Sequence, residues 1–256
     1  TAEQNFKITA EQLEAAITPK TKAFIFSTPC NPSGSVYTKE ELASLVEVFK
    51  KYPRIIVLSD EIYEFIQYEQ KHESMGQFTE LKDRLVIING VAKGYAMTGW
   101  RIGYIAAPKA IVSACNKIQG QYTSGICTIA QAASLEAVKM SPENSEEIQD
   151  MLKAFRNRRD MFFELLSEIP GIKLSKPAGA FYMFPEIKSY FGKTDGETTI
   201  NNSDDLCLYL LNKAHVACVA GTAFGNGECI RLSYATSEDK LREAAARIKK
   251  ALSELK

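Results

Sequence analysis

The chain has 256 residues, 45% of them hydrophobic and 24% charged, a composition typical of a globular protein with a sizeable core. Lys plus Arg and Asp plus Glu both number 31, so neither a nucleic acid nor an anionic membrane is indicated as a partner. Six scattered cysteines and only two histidines argue against a metal site or a histidine-based hydrolase and favour a reducing, cytoplasmic location.

Apolar, β-branched strands alternate with helices in the first part of the chain. Because the strands are continuously apolar, they predict a mostly parallel sheet covered by helices on both faces. The predicted order is a short helix after an opening loop, strand 23–27, helix 39–52 entered from Thr38, strands 54–59, 84–90 and 101–107, and helices 109–119 and 128–139.

The second part of the chain has a different pattern of predicted secondary structure. One long helix is predicted over 141–169, with Ser141 as its N-cap and Pro142 in its first position. Short strands then alternate with helices, around a polar loop at 188–203. We therefore predict two domains, 1–150 with the parallel sheet and 151–256 as a smaller α+β domain.

Three of the predicted strands run directly into unusual polar turns, which are TPCNPSG, DEIY and VAKGYAMTGWRIG. Ligands of open parallel sheets bind at the carboxyl ends of the strands. Each residue has an ordinary structural explanation by itself: a turn, a helix cap, a surface charge or aromatic packing. Together, and in this order, they predict a single site whose candidate residues are Asn31, Asp60, Tyr63, Lys93 and Arg101.

The ordered set N-P-S-G, D-E-I-Y, A-K-G-Y-A-M-T-G-W-R-I-G-Y and I-R-L-S-Y-A resembles fold-type I aminotransferases of class I, which use pyridoxal 5′-phosphate (PLP). The run 89–104 is most similar to bacterial aspartate aminotransferases. The resemblance implies an α/β fold of the PLP-transferase type. Residues 1–150 would form the C-terminal portion of the PLP-binding large domain, with an incomplete sheet, and 151–256 the small domain.

The resemblance also implies roles for these residues. Lys93 would hold PLP covalently and then act as the base that moves a proton. Asp60 would pair with the pyridine nitrogen, and Asn31 and Tyr63 would hydrogen-bond the ring oxygen O3′. Arg101, eight residues after Lys93, would bind the phosphate through its guanidinium fork.

A further arginine, Arg231 in ECIRLSYA, matches the family's arginine that binds the substrate α-carboxylate, and Asn31 would share this substrate-binding role. Without the family, the more economical interpretation is a charge on an edge strand. Phe181 and Tyr182 either line the same site or pack in the core.

Two departures from the family pattern are visible. Gly90 and Ala92 stand where many relatives have serines, which leaves Arg101 a larger share of the phosphate. Relatives also supply a phosphate-binding helix N-terminus and a ring-stacking aromatic before the first predicted strand. We therefore expect the chain to be a fragment lacking about the first third of the enzyme, and the isolated fragment to bind PLP weakly and to be inactive.

The predicted function is PLP-dependent transfer of an amino group from an L-amino acid, with aspartate favoured, to a 2-oxo acid such as 2-oxoglutarate. The full-length protein is expected to be a homodimer. Two alternatives stay open: another fold-type I activity, such as an aromatic aminotransferase or a β-lyase, and the effector-sensing aminotransferase-like domain of a regulator.

Overall fold

The computed structural model describes all 256 residues, Thr1–Lys256, which fold into two compact units. The N-terminal unit comprises Lys7–Cys30 and Val36–Asp150. The C-terminal unit comprises Thr1–Phe6, Asn31–Ser35 and Met151–Lys256. Two short segments from the first part of the chain thus belong to the C-terminal unit, and one of them contains Asn31.

The N-terminal unit is built on a four-stranded sheet in the order β1-β2-β3-β4. Its strands are β1 (Ala23–Ser27), β2 (Ile56–Asp60), β3 (Leu85–Asn89) and β4 (Tyr104–Ala106). The first three strands are parallel, and β4 is antiparallel to β3. The α/β fold class with a mostly parallel sheet is confirmed, whereas the strand predicted over 101–107 is shorter.

The core of this unit lies between the sheet and two helices, α1 (Ala10–Ala16) and α2 (Lys39–Lys51). Thr38 caps α2 as predicted, because its side chain accepts a hydrogen bond from the backbone N–H of Glu41. The apolar face of α2 is buried, and the ring of Phe49 lies 5.3 Å from that of Phe24 on β1. Full burial of each such side chain stabilises the folded state by about 1.5–3 kcal/mol relative to leaving it exposed.

The second face of the sheet is only partly covered in this chain, as expected for an incomplete sheet. Successive residues of a strand point to opposite faces, so Phe24 packs towards the core while Ile25 is 68% exposed. Two further helices complete the unit, α3 (Lys109–Tyr122) and α4 (Thr128–Lys139). None of the α3 residues is buried, so this helix adds little to the core.

The long helix predicted over 141–169 is interrupted near its start. A separate 3-10 turn at Pro142–Asn144 precedes helix α5 (Glu146–Ser167). Ser145 between them has extended backbone angles, and its hydroxyl accepts the N–H of Ile148 at 3.4 Å. Ser145, rather than Ser141, therefore occupies the capping position of the helix.

The C-terminal unit contains a three-stranded antiparallel sheet in the order β5-β7-β6. Its strands are β5 (Tyr182–Met183), β6 (Val219–Ala220) and β7 (Ile230–Ser233). Helix α6 (Ser203–Tyr209) continues into a π-helical turn at Leu210–Ala214, and α7 (Glu238–Ser253) ends the fold. No helix of either unit combines the length and apolar character needed to cross a bilayer.

Candidate active site

Asp60 lies at the carboxyl end of β2, between its register partners Ser27 on β1 and Ile88 on β3. Its Oδ1 atom accepts the backbone N–H of Ile62 at 3.1 Å, so the carboxylate also stabilises the turn that follows the strand. Burial raises the pKa of Asp60, although this hydrogen bond opposes the shift. A cationic N–H donor brought to this half-buried carboxylate would therefore be favourable.

Tyr63 and Lys93 are brought together from consecutive strand ends. Tyr63 follows β2 and is 3% exposed, while Lys93 follows β3 and is half-buried. The Nζ atom of Lys93 lies 5.6 Å from the centre of the Tyr63 ring. The two motifs that the sequence predicts to converge thus place an amine beside a phenol ring in the N-terminal unit.

Gly94 allows the segment after Lys93 to pack against the segment after β2. A Cβ atom added at Gly94 would overlap Cδ2 of Phe65, and real side chains do not tolerate such an overlap. The Phe65 ring is also in edge-to-face contact with Tyr95, at 5.6 Å between centroids. The two residues that follow Lys93 are therefore fixed by packing against Phe65, two positions after the D-E-I-Y segment.

Arg101 ends a 3-10 turn at Thr98–Trp100 and has left-handed backbone angles, with φ 56°. Few residues other than glycine adopt this conformation. Its Nη1 atom donates to the carbonyl oxygen of Thr98 at 2.8 Å, and the side chain is exposed. The guanidinium is thus oriented by the turn while its other N–H groups stay accessible to an anion.

Arg231 lies on β7, the central strand of the C-terminal sheet, so its interpretation as an edge-strand charge is wrong. The guanidinium carbon lies 4.6 Å from the centre of the Tyr182 ring and 4.9 Å from that of Phe224. Its Nη1 atom donates to Oδ1 of Asn31 at 2.8 Å. The two residues to which the sequence gives a substrate-binding role are therefore in direct contact within the C-terminal unit.

The two aromatic residues of GAFY have different positions. Tyr182 contacts Arg231, whereas Phe181 stacks on Phe155 of α5 with centroids 5.4 Å apart. The contact between Phe224 and Arg231 was not expected from the sequence. No local pattern around Phe224 predicts it, since only the tertiary fold brings the segment before β7 against that strand.

A buried hydrogen-bonded pair of Glu61 and His72 was also missed. Glu61 is 1% exposed. Its carboxylate accepts hydrogen bonds from Ser59 Oγ at 2.9 Å and from the Met75 backbone N–H at 3.1 Å. His72 Nε2 lies 2.8 Å from its other oxygen. Burial raises the pKa of Glu61, but the hydrogen bonds and the charge of His72 outweigh it and leave the pKa lowered.

A known protein family matches nearly the whole chain. The family model described as "Aminotransferase class I and II" matches residues 1–248. The chain belongs to this aminotransferase family. It is 46% identical over 255 residues to the bifunctional aspartate aminotransferase and glutamate/aspartate-prephenate aminotransferase of Petunia hybrida, covering 99% of this chain and 53% of that protein. It is 45% identical to the aspartate/prephenate aminotransferase of Cereibacter sphaeroides, covering 96% of this chain and 62% of the relative.

Solved aminotransferases share the fold. The crystal structure of the Rhizobium meliloti aspartate aminotransferase superposes with a TM-score of 0.93 at 40% identity, covering 100% of this chain and 64% of that one. The aromatic aminotransferase of Pyrococcus horikoshii superposes with a TM-score of 0.88 at 35% identity, over 99% of this chain and 66% of its own. The aminotransferase fold type is thus confirmed, and the chain spans between half and two thirds of these relatives.

The family uses PLP, and the donor groups of this aminotransferase chain suit that cofactor. Lys93 offers an amine, and its neighbour Tyr63 offers a phenol. The half-buried carboxylate of Asp60 forms no ion pair with a side chain of this chain and is suited to a protonated pyridine nitrogen. Arg101 adds an exposed guanidinium for a phosphate. The residues present therefore fit PLP.

Proposed function

We propose that the protein containing this chain catalyses PLP-dependent transamination between an L-amino acid and a 2-oxo acid, with aspartate and 2-oxoglutarate as the leading pair. The observation that carries the proposal is the amine of Lys93 beside the Tyr63 ring, immediately after the strand ends of an aminotransferase sheet. An amine in this position can form the covalent link that the chemistry requires.

The cofactor, when bound, supplies an electron-accepting ring that stabilises negative charge developed at the substrate Cα. Lys93 would hold it covalently and, once released from that link, its amine would move a proton from Cα of the substrate. Asp60 would accept the pyridine N–H and keep that nitrogen protonated, because a carboxylate stabilises a nearby cation. The large N-terminal unit is accordingly assigned as the PLP-binding portion.

Binding of the remaining groups is divided among three side chains. The phenol of Tyr63 would donate to O3′, and Arg101 would bind the phosphate through the N–H groups that the Thr98 carbonyl leaves free. Arg231 binds both oxygens of the substrate α-carboxylate through its planar guanidinium, and this fixes the orientation of the Cα–H bond. Asn31 orients Arg231 through their hydrogen bond, and its predicted contact with O3′ stays a prediction.

The choice of aspartate rests on the relatives. Two of them carry both aspartate and prephenate in their names, and one structural neighbour is an aromatic aminotransferase. We therefore propose prephenate as a second acceptor to be assayed beside 2-oxoglutarate. Homodimerisation and a cytoplasmic location are further proposals, which light scattering of the purified protein and cell fractionation would test.

Covalent capture at Lys93 tests the proposed function. The PLP-loaded protein is reduced with borohydride, digested and mapped by mass spectrometry, and we expect the pyridoxyl group on Lys93. Lys93→Ala should lower transamination by several orders of magnitude, because the covalent link and the proton transfer are lost together. Lys109→Ala, at an exposed lysine of the same unit, should retain activity. A pyridoxyl group on another lysine would contradict the assignment.

A further inference from the structure

Two of the six cysteines lie close together in the C-terminal unit. Cys207 is on α6 and Cys218 directly precedes β6, and their Sγ atoms are 3.3 Å apart. Both side chains are partly exposed. Because eleven positions separate them, the tertiary fold and not a local motif creates this thiol pair.

The pair is geometrically suited to form a disulfide. A disulfide bond is about 2.05 Å long, so the two sulfur atoms must approach each other by only about 1.2 Å. Helix α6 packs against β6, so the backbone segments that carry the two cysteines are already adjacent. Among the other cysteines, Cys115 and Cys127 are exposed and Cys229 is buried, and none of these three lies within hydrogen-bonding distance of another thiol.

The two thiols are chemically unequal. The S–H group of Cys218 donates to the sulfur of Cys207. This hydrogen bond lowers the pKa of Cys207 and raises that of Cys218. A thiolate stabilised by a neighbouring thiol is the usual attacking group in thiol–disulfide exchange, so the arrangement gives Cys207 the attacking role and Cys218 the resolving role.

We propose that Cys207 and Cys218 are a redox site that forms a reversible disulfide by exchange with a small-molecule disulfide such as oxidised glutathione. The Cys207 thiolate attacks one sulfur of oxidised glutathione, forms a mixed disulfide and releases one glutathione thiolate. Cys218 then loses its proton to solvent, and its thiolate attacks the Cys207 sulfur and releases the second glutathione. The protein dithiol is oxidised by two electrons, and one oxidised glutathione becomes two reduced molecules.

The disulfide would link α6 to the edge of the C-terminal sheet. Cys218 directly precedes Val219, which is the register partner of Arg231 on β7. A covalent link at this position restricts separation of β6 from α6. Backbone amides of Val219 and Ala220 should therefore exchange with solvent more slowly in the oxidised protein.

The experiment equilibrates the protein in glutathione buffers, quenches exchange with acid, alkylates the free thiols and maps the peptides. The wild-type protein should lose about 2 Da, with the peptides of Cys207 and Cys218 joined. Cys218→Ser should instead accumulate glutathione on Cys207. In the same glutathione buffer, the ratio of cross-linked to reduced wild-type protein should be about tenfold or more higher than the ratio of glutathione adduct to free thiol in the variant. The reason is that the second step of the wild type is intramolecular. Cys115→Ser is the matched control and should cross-link like the wild type.

The wild-type peptide map decides the proposal even where a variant folds poorly. If Cys207 and Cys218 are both still alkylated when exposed Cys115 and Cys127 have taken up glutathione, the proposed site is wrong. A wild-type protein that accumulates glutathione on Cys207 without forming the cross-link also overturns it. Recovery of both free thiols on addition of reduced glutathione is expected, and a cross-link that persists would contradict its reversibility.

Discussion

Replacing Arg231 with lysine keeps a positive charge on β7 but removes the planar fork. In the structure, the guanidinium lies over the rings of Tyr182 and Phe224 and donates one hydrogen bond to Asn31. Its other N–H groups are left for a ligand, since arginine has five donors. A lysine ammonium is a point charge on a flexible stem and cannot bind both oxygens of a carboxylate in the same plane.

The expected loss of affinity follows from these contacts. One of two charge-assisted hydrogen bonds to the carboxylate is lost, which costs about 1.5–3 kcal/mol. The weaker cation–π contact of an ammonium with these two rings adds about 0.5–1 kcal/mol. The sum of about 2–4 kcal/mol corresponds to a dissociation constant for the amino acid that is about 30- to 700-fold higher. Binding of the cofactor should be unaffected, because Arg231 has no proposed contact with it.

The assay is a spectrophotometric titration of the PLP-loaded protein with aspartate, in wild-type and Arg231→Lys forms. The amino-acid concentration at half-saturation is the measured quantity, and the absorbance of bound PLP before the titration reports retention of the cofactor. Phe224→Leu removes one of the two rings, so it should raise the half-saturation concentration by less than the lysine substitution.

Arg247→Lys is a suitable control, because Arg247 is exposed on α7 and pairs with Glu243. It should leave both affinity and cofactor retention unchanged. A different result for Arg231→Lys would refute the reasoning. If that variant lost PLP but bound aspartate as tightly as the wild type, Arg231 would have to be assigned to the phosphate and not to the substrate carboxylate.

The remaining predictions concern stability and are tested by urea unfolding. Gly94→Ala should lower the free energy of unfolding by about 1–3 kcal/mol, because its Cβ would overlap the Phe65 ring. Gly99→Ala is the control, since there is open space around the added Cβ. Equal urea midpoints for the two variants would disprove the steric argument. Glu61 has a lowered pKa in the folded protein. The ionised carboxylate should therefore contribute fully to the free energy of unfolding above a pH of about 5, and this contribution should be lost as the pH falls below about 4. Glu61→Gln should therefore weaken the pH dependence of stability in this window, and an unchanged profile would show that the pair with His72 contributes nothing.

The strand-end residues were predictable from the sequence because their positions follow from local order. A continuously apolar strand followed by a polar turn is visible in the sequence, and parallel strands end at the same edge of a sheet. Asp60, Tyr63 and Lys93 accordingly lie where the motifs placed them. Arg231 was predicted only through the family, since its strand is too short for an alternation pattern to show whether it is central or at an edge.

The features that the sequence did not reveal depend on contacts between distant segments or on local competition. Glu61 and His72 are separated by eleven positions and Arg231 and Phe224 pack only after the sheet forms. The break before α5 was missed because Ser141 and Ser145 are equally good caps in sequence terms. The exposure of Ile25 was missed because an apolar side chain in a strand does not show which surface will cover it.

The adjacent acids Asp60 and Glu61 show how the fold gives different roles to two similar residues. Glu61 is fully used, since it accepts hydrogen bonds from Ser59, Met75 and His72 and its pKa is lowered. Asp60 receives one backbone hydrogen bond, and burial raises its pKa. Glu61 therefore ties the end of β2 to the segment that contains His72 and Met75, and Asp60 is held at a fixed position with capacity for a further donor. A motif of two consecutive acids at a strand end can thus combine a structural anchor with a ligand-binding group.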